Sequence, residues 1–191
     1  MNTTFNRRNF LGTTGVATLA AALPVTAQAA PAADQRLRAL LDRLFTDRLT
    51  ESPESATRLG LDTGDRAGLK SRLGDRSAAG VAAELARAKK ERAELRAINP
   101  ASLSPSARID YEVVAYQLDQ SIAGGERFTY GDSMGRYAPY VLSQLTGAYR
   151  DVPDFLDSQH RVRDAAEADA YIARLQAFPT AIDADTERQR A

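Results

Sequence analysis

The chain has 191 residues, enough for one domain with a proper core, and its 25 Lys and Arg side chains balance its 25 Asp and Glu side chains. This charge balance leaves no positive excess to hold nucleic acid or an anionic membrane, so we exclude both as partners of the mature protein. The sequence has no cysteine and one histidine. It therefore excludes disulfides and any zinc site built from several Cys or His ligands.

The first residues predict a bacterial export signal. Arg7 and Arg8 stand just before Phe10 and Leu11, and a mildly apolar run follows from Leu11 to Leu23. Adjacent arginines ahead of such a run are the twin-arginine form of a signal peptide. The run is shorter than the roughly 20 apolar residues that a membrane-spanning helix needs. The twin-arginine export machinery is therefore an expected partner.

The end of this segment predicts where the signal is removed. Ala27 and Ala29 place small side chains at the positions that a signal peptidase requires, so we expect cleavage before Ala30. The predicted organisation is a signal peptide over residues 1–29 and a helical domain over residues 30–191. The mature domain is expected in the periplasm or outside the cell.

Helical periodicity predicts three elements in the first half of the mature chain. Asp34 to Leu49 has apolar residues on one wide face, and Ser52-Pro53-Glu54 predicts the start of a short second helix. A glycine-rich loop from Gly60 to Asp75 then precedes a long helix from Ser77 to Ile98. The apolar face of the first helix contains Leu37, Leu40, Leu41, Leu44 and Phe45.

The segment from Leu103 to Ile122 predicts a helix with two opposite apolar faces. Ser104 and Pro105 mark its start, and Gly124 and Gly125 are expected to close it. One face contains Ile109, Val113 and Tyr116, and the other contains Tyr111, Val114, Ala115, Leu118 and Ile122. A helix with two apolar faces needs cover from both sides. We therefore expect an all-α fold, an irregular helical bundle around this central two-faced helix, with the preceding helix as its antiparallel neighbour.

A Gly/Tyr-rich loop and four further helices are predicted in the last third. Gly125 to Ala138 is the loop, and its aromatic residues either line a pocket or anchor the loop to the core. Pro139 to Gly147 is a candidate short helix, and Val152-Pro153-Asp154 predicts the start of another. His160 is interpreted as a structural hydrogen-bonding residue, because no nucleophile motif accompanies it.

The last predicted helices run from Asp164 to Phe178 and, after Pro179, from Thr180 to Ala191. The final helix has no closing glycine and little apolar content, which favours a chain that is part of a larger helical fold. No G-x-S-x-G or H-E-x-x-H motif is present in the 191 residues. The sequence therefore provides no candidate catalytic or metal-binding residue.

Several strings, taken in order, resemble the beginning of the bacterial "domain of unknown function 885" family. They are Ser52-Pro53-Glu54-Ser55-Ala56 with Leu59-Gly60, Leu103-Ser104-Pro105 with Asp110-Tyr111, Pro139 to Tyr149, Val152 to Leu156, and Asp169 to Leu175. The resemblance implies a mostly helical, exported protein similar to zincin-type zinc metallopeptidases. In such proteins an H-E-x-x-H helix supplies two zinc ligands and a general base. Zinc is therefore expected only in a full-length relative, and no cofactor is expected in this chain.

The resemblance also suggests a role for the aromatic residues. In a complete enzyme these helices would form a wall of the substrate cleft, with a peptide as the substrate. Tyr137, Tyr140, Gln144 and Tyr149 are the candidates to face the cleft, because their polar-tipped side chains cluster in the least helical stretch. The alternative is a small exported helical protein that binds a partner or has a structural role without catalysis.

Overall fold

The computed structural model describes residues 31–128 and 140–191. The helices are α1 (Ala32–Glu51), α2 (Pro53–Arg58), α3 (Ala78–Arg96), α4 (Pro105–Arg127), α5 (Ala148–Ser158) and α6 (Ala165–Arg190). Two 3₁₀ segments, Gly64–Ser71 and Pro100–Ser102, join α2 to α3 and α3 to α4. No strand is present in these two ranges, so the expected all-α fold is confirmed.

Helices α3 and α4 form an antiparallel hairpin. Arg92 donates from Nε and Nη2 to the two carboxylate oxygens of Asp119 at 2.7 and 2.9 Å, and Lys89 pairs with Glu126 at 2.7 Å. Because later residues of α4 meet earlier residues of α3, the two helices run in opposite directions. The hydroxyl of Ser104 accepts the backbone N–H of Ala107, which is the predicted start of α4.

Helix α1 lies across the hairpin and completes its core. Leu37 is 2% exposed and packs with Ala88, Leu95, Ala115 and Leu118, all of them buried. The face predicted for α1 is only partly inside, since Leu40 and Leu41 are half-buried and Phe45 is 49% exposed. The hairpin half, which we define as α1, α3 and α4, is therefore held mainly by apolar contact.

The prediction that α4 is covered on two faces is wrong. Leu118 and Ala115 are buried at 3% and 8% exposure, but Ile109, Val113 and Tyr116 are 62%, 50% and 66% exposed. Among the described elements, α3 and α1 pack on the side of this helix that contains Ala115 and Leu118. The sequence pattern failed because apolar side chains also occupy protein surfaces, so an apolar stripe does not by itself require a cover.

The end of α4 also differs from its prediction. The helix continues through both glycines to Arg127, and neither glycine has a left-handed backbone. A Cβ atom at Gly125 would lie 3.1 Å from Cδ1 of Leu85. Gly125 therefore allows close approach of α3, which is a different use of glycine from closing a helix. Most of the Gly/Tyr-rich loop that follows lies outside the described residues.

The last third contains longer helices than the sequence predicted. Helix α6 is continuous through Pro179, and α5 begins at Ala148, so that Pro153 lies inside it. Phe178, Ala181 and Ile182 of α6 pack on the buried face of α5. Apolar contacts on both sides of Pro179 keep the helix intact, although proline removes one of its hydrogen bonds.

A second group of elements packs around buried polar side chains. The segment from Gly64 to Ser71 contacts both α2 and α6, and α5 lies along α6. We call α2, this 3₁₀ segment, α5 and α6 the polar half, because Arg76, His160, Arg174 and Asp185 are buried within it or at its edge. Arg174 and Asp185 are both 0% exposed.

Candidate functional site

The stretch from Tyr140 to Tyr149 forms a turn that leads into α5, and we call it the tyrosine turn. Ser143 and Thr146 exchange two backbone hydrogen bonds, at 3.2 and 3.4 Å, and their hydroxyls lie 2.7 Å apart. Gly147 then adopts φ +114°, a region that favours glycine, and α5 starts at the next residue. The short helix predicted for Pro139 to Gly147 is therefore wrong over the described residues, where two paired backbone groups form a turn instead.

The tyrosine turn presents three of the four residues expected to face a cleft. Tyr140 is 58% exposed and Tyr149 is 47% exposed, and Gln144 is exposed at the tip between them. The phenol of Tyr149 donates to the carbonyl of Ser143, which holds its ring against the turn. Tyr137 lies outside the described residues. The three remaining side chains thus share one short surface segment, together with Leu145, which is 59% exposed.

Asp185 of α6 holds the tyrosine turn from below. Its Oδ2 accepts the backbone N–H of Ala148 at 2.7 Å and an Nη1 hydrogen of Arg76 at 3.0 Å. The other end of the guanidinium, Nη2, donates to Asp151 of α5 at 3.0 Å. A carboxylate at the first free N–H of a helix stabilises its start, and the ion pair with Arg76 offsets its charge. Within the described residues, Oδ1 of the same carboxylate is buried and accepts no hydrogen bond.

A second hydrogen bond to the tyrosine turn comes from the end of α6. The side-chain oxygen of Gln189 accepts the backbone N–H of Leu142 at 2.9 Å. Two residues of α6 therefore fix the tyrosine turn near its start and at its end. Aromatic side chains on a fixed backbone lose little conformational freedom on binding a ligand, which favours recognition.

Sequence reasoning missed Arg76 and Asp185. Asp185 stands among Asp183, Thr186 and Glu187 in α6, a pattern that is typical of a solvated helix face. Arg76 stands between the predicted loop, which ends at Asp75, and the predicted helix, which begins at Ser77. No local signal separates either residue from its exposed neighbours, because their burial depends on how α5 and α6 pack.

Arg174 is the centre of a further buried cluster within the polar half. Its guanidinium donates to the carbonyls of Arg72 at 2.8 Å and Leu69 at 3.1 Å, and to the hydroxyl of Thr57 at 2.9 Å. It also stacks over the ring of Phe155 at 4.8 Å. Burial lowers the pKa of Arg174 to about 10, against the opposing influence of the nearby acidic groups.

His160 is part of the same cluster, and its tautomer is fixed by two neighbours. Nη1 of Arg174 lies 2.8 Å from Nδ1, and Nε2 lies 3.3 Å from the carbonyl of Glu167. A guanidinium can only donate and a carbonyl can only accept, so Nδ1 carries no hydrogen and Nε2 does. Burial and then the charge of Arg174 lower the pKa of His160. The ring therefore serves as a neutral hydrogen-bonding link between elements.

The two clusters and the tyrosine turn differ in what they can do chemically. Arg174 and Oδ2 of Asp185 are engaged with the protein, whereas Tyr140 and Gln144 are exposed, and Tyr149 exposes its ring while its hydroxyl donates to Ser143. Phenol and amide groups bind peptides by stacking and by hydrogen bonds. Over residues 31–128 and 140–191, no three His, Asp or Glu side chains form a group that could hold a metal ion.

The described helices and the tyrosine turn define an all-α protein whose candidate site is an exposed aromatic surface. Residues 53–191 match the model of a family described as bacterial protein of unknown function (DUF885), and the chain belongs to this family. Residues 4–24 match the signal sequence of the twin-arginine translocation pathway, so the chain carries an export signal that includes Arg7, Arg8, Phe10 and Leu11. No curated relative and no solved structure matches the chain. None of the helices in the described ranges is both long and apolar enough to cross a membrane.

Proposed function

We propose that this chain is an exported peptide-binding domain that forms one wall of the substrate cleft in a metallopeptidase-like protein and has no catalytic group of its own. The observation that carries the proposal is the tyrosine turn, where Tyr140, Gln144 and Tyr149 face solvent on a backbone fixed by α6. The metallopeptidase part of the proposal rests on the resemblance described above. The absence of H-E-x-x-H from the 191 residues supports a binding role for this part.

Fluorescence anisotropy with a labelled library of random decapeptides tests peptide binding. We expect saturable binding that weakens at least five-fold in the double variant Tyr140→Ala/Tyr149→Ala, because the two rings supply most of the exposed aromatic area of the turn. Tyr116→Ala is the matched control, since this tyrosine is 66% exposed on α4, outside the turn. Equal losses in the control and in the double variant, or no binding at all, would overturn the proposal.

The larger protein and the compartment are also part of the proposal. Reading the gene beyond the codon for Ala191 tests whether an H-E-x-x-H segment follows in frame, and a stop codon there would contradict the metallopeptidase part. Cell fractionation tests the location. We expect the wild-type chain in the periplasm and the double variant Arg7→Lys/Arg8→Lys in the cytoplasm, because the pathway requires the arginine pair.

A further inference from the structure

A second surface of the molecule is an open groove beside the N-terminal half of α3. It has a volume of about 560 Å³, and its apolar lining comes mainly from Val81, Leu85 and Ala88 of α3, from Gly125 of α4 and from Phe128, which follows α4. The end of α6 lies along it with Glu187 and Arg188. The stretch of α3 from Ala78 to Ala88 that lines the groove is about 15 Å long, which corresponds to about three helical turns.

The open groove continues the surface that already binds α1. Ala88 is 4% exposed, belongs to the core that packs against Leu37, and also lines the groove. Helix α1 ends at Glu51, and the groove begins beside Ala88, with the end of α6 on its other side. The small residues Ala78 and Ala82 leave room for the backbone of another helix to approach.

The ion pairs between α1 and α3 show which charges a helix bound in the open groove would need. Arg43 pairs with Glu94, and Arg48 lies 4.0 Å from Glu91, so basic residues of α1 meet the acidic edge of α3. Glu84 lies seven residues before Glu91, which places it on the same edge two turns earlier.

Two carboxylates that line the open groove could pair with basic side chains as Glu91 and Glu94 do with α1. Within residues 31–128 and 140–191, neither Glu84 nor Glu187 has a basic partner within 4 Å. Arg188 is committed elsewhere, since its Nη1 lies 3.4 Å from the carbonyl of Arg76 and 3.7 Å from Asp185. The open groove therefore combines an apolar floor with unpaired negative charge.

We propose that the open groove is a docking site for an amphipathic helix with a leucine-rich face and Lys or Arg along one edge, which is the chemistry of α1. The apolar floor of the groove would contact the leucine-rich face of the bound helix, as the rest of the hairpin contacts Leu37 of α1. Glu84 and Glu187 would pair with the Lys or Arg side chains along its edge. A helix fits better than a compact ligand because the lining follows α3 from Ala78 to Ala88 and includes the small residues Ala78 and Ala82.

Two peptides of 18 residues test the proposal with the purified chain. The first is an amphipathic helix of leucine and lysine, and the second has glutamate in place of every lysine. We expect the basic peptide to bind and to shift the amide NMR signals of residues 78–88 and 121–128. The acidic peptide should bind at least ten-fold more weakly, because it meets the carboxylates of Glu84 and Glu187.

Two pairs of variants locate the binding. Val81→Asn should weaken the basic peptide at least five-fold, whereas Val113→Asn, on the exposed face of α4, should leave its affinity unchanged. Glu84→Gln/Glu187→Gln should weaken the basic peptide and reduce the salt dependence of its binding, whereas Glu112→Gln should do neither. Thermal melts by circular dichroism confirm that each variant is folded.

Three results would overturn the proposal. They are equal binding of the acidic peptide, no binding of the basic peptide at millimolar concentration, and equal losses in the Val81 and Val113 variants. Sedimentation velocity tests a fourth result that would overturn it. A dimer of the chain that dissociates in the Val81→Asn variant would identify a second copy of the chain as the occupant of the groove.

Discussion

The hairpin half and the polar half of this molecule are stabilised by different means. In the hairpin half, Leu37, Leu95 and Leu118 form the core, and Glu91 is the buried charge, paired with Arg87 at 2.9 Å. In the polar half, Arg174 is fully buried and donates hydrogen bonds to the carbonyl of Leu69 in the 3₁₀ segment and to the hydroxyl of Thr57 in α2. The first half is held by non-directional apolar contact, and the second also depends on directional bonds.

This difference explains how each half tolerates irregular backbone. The hairpin half consists of long helices that satisfy their own backbone groups, whereas the polar half includes a 3₁₀ segment whose carbonyls need partners from elsewhere. Arg174 supplies those partners to Leu69 and Arg72. The comparison teaches that a short irregular element can be fixed by one side chain with several donors.

The largest expected effect is the loss of that side chain. We expect Arg174→Leu to lower the free energy of unfolding by about 4–5 kcal/mol, because it leaves several buried acceptors without partners. Urea denaturation followed by circular dichroism measures the change. Arg161→Leu is the control, since Arg161 is an exposed arginine between α5 and α6, and its replacement should change stability by less than about 0.5 kcal/mol. A small effect of Arg174→Leu would show that the polar half does not depend on the arginine.

The next largest effect is expected in the hairpin half. Leu118→Ala should cost about 3 kcal/mol, since it leaves a cavity at a side chain that is 3% exposed. Val113→Ala, on the opposite face of the same helix, should cost less than about 0.5 kcal/mol. The same denaturation experiment measures both variants. Comparable losses would mean that the exposed face of α4 is covered in solution.

The stability of the polar half should depend on pH through His160. His160 is the only histidine, and its folded pKa lies below the ordinary value of 6.5. The unfolded chain therefore binds a proton first as the pH falls. Stability should be complete above pH 7 and decline below about pH 6.5, by at most about 1.4 kcal/mol per pH unit from this residue.

His160→Gln should remove this decline, because a glutamine can accept from Arg174 and donate to the carbonyl of Glu167 without titrating. Unfolding free energies measured between pH 7.5 and 5.5 test this. Hydrogen bonds from Arg163 and then Lys70 lower the pKa of Glu167, so its contribution is lost only below its ordinary value of 4.5, outside this window. An unchanged slope in the glutamine variant would contradict the assignment of a neutral His160.

The smallest effect concerns the start of α4 in the hairpin half. Ser104→Ala should cost about 1 kcal/mol, because the hydroxyl accepts the N–H of Ala107. Ser106→Ala, two residues further on and exposed, should have an effect near zero. Thermal unfolding of both variants measures the difference, and equal melting temperatures would show that the cap does not stabilise the helix.

Local signals in the sequence predicted the helices that begin with a clear cap. Ser77, Ser104 and Asp164 each accept a backbone N–H at the start of α3, α4 and α6. Predictions at prolines were less successful, because Pro153 and Pro179 lie inside helices that packing maintains. For the candidate site, the sequence singled out Tyr140 and Tyr149, which are exposed, and their place in a cleft stays a prediction. The sequence missed the buried Asp185, which accepts the N–H of Ala148 at the end of the turn. The predicted signal cleavage after Ala29 lies outside the described residues.

By itself, the sequence determined the helical class, the export signal and the absence of a zinc-binding motif. These follow from periodicity, from caps and from short motifs, all of which act over a few neighbouring residues. Only the tertiary structure decided which face of α4 is buried and which charges lie inside. Val113 and Leu118 look equally apolar in the sequence. Asp183 and Asp185 likewise look equally exposed. Burial depends on which element packs against a residue, and that element can be a hundred residues away, as Arg76 is from Asp185.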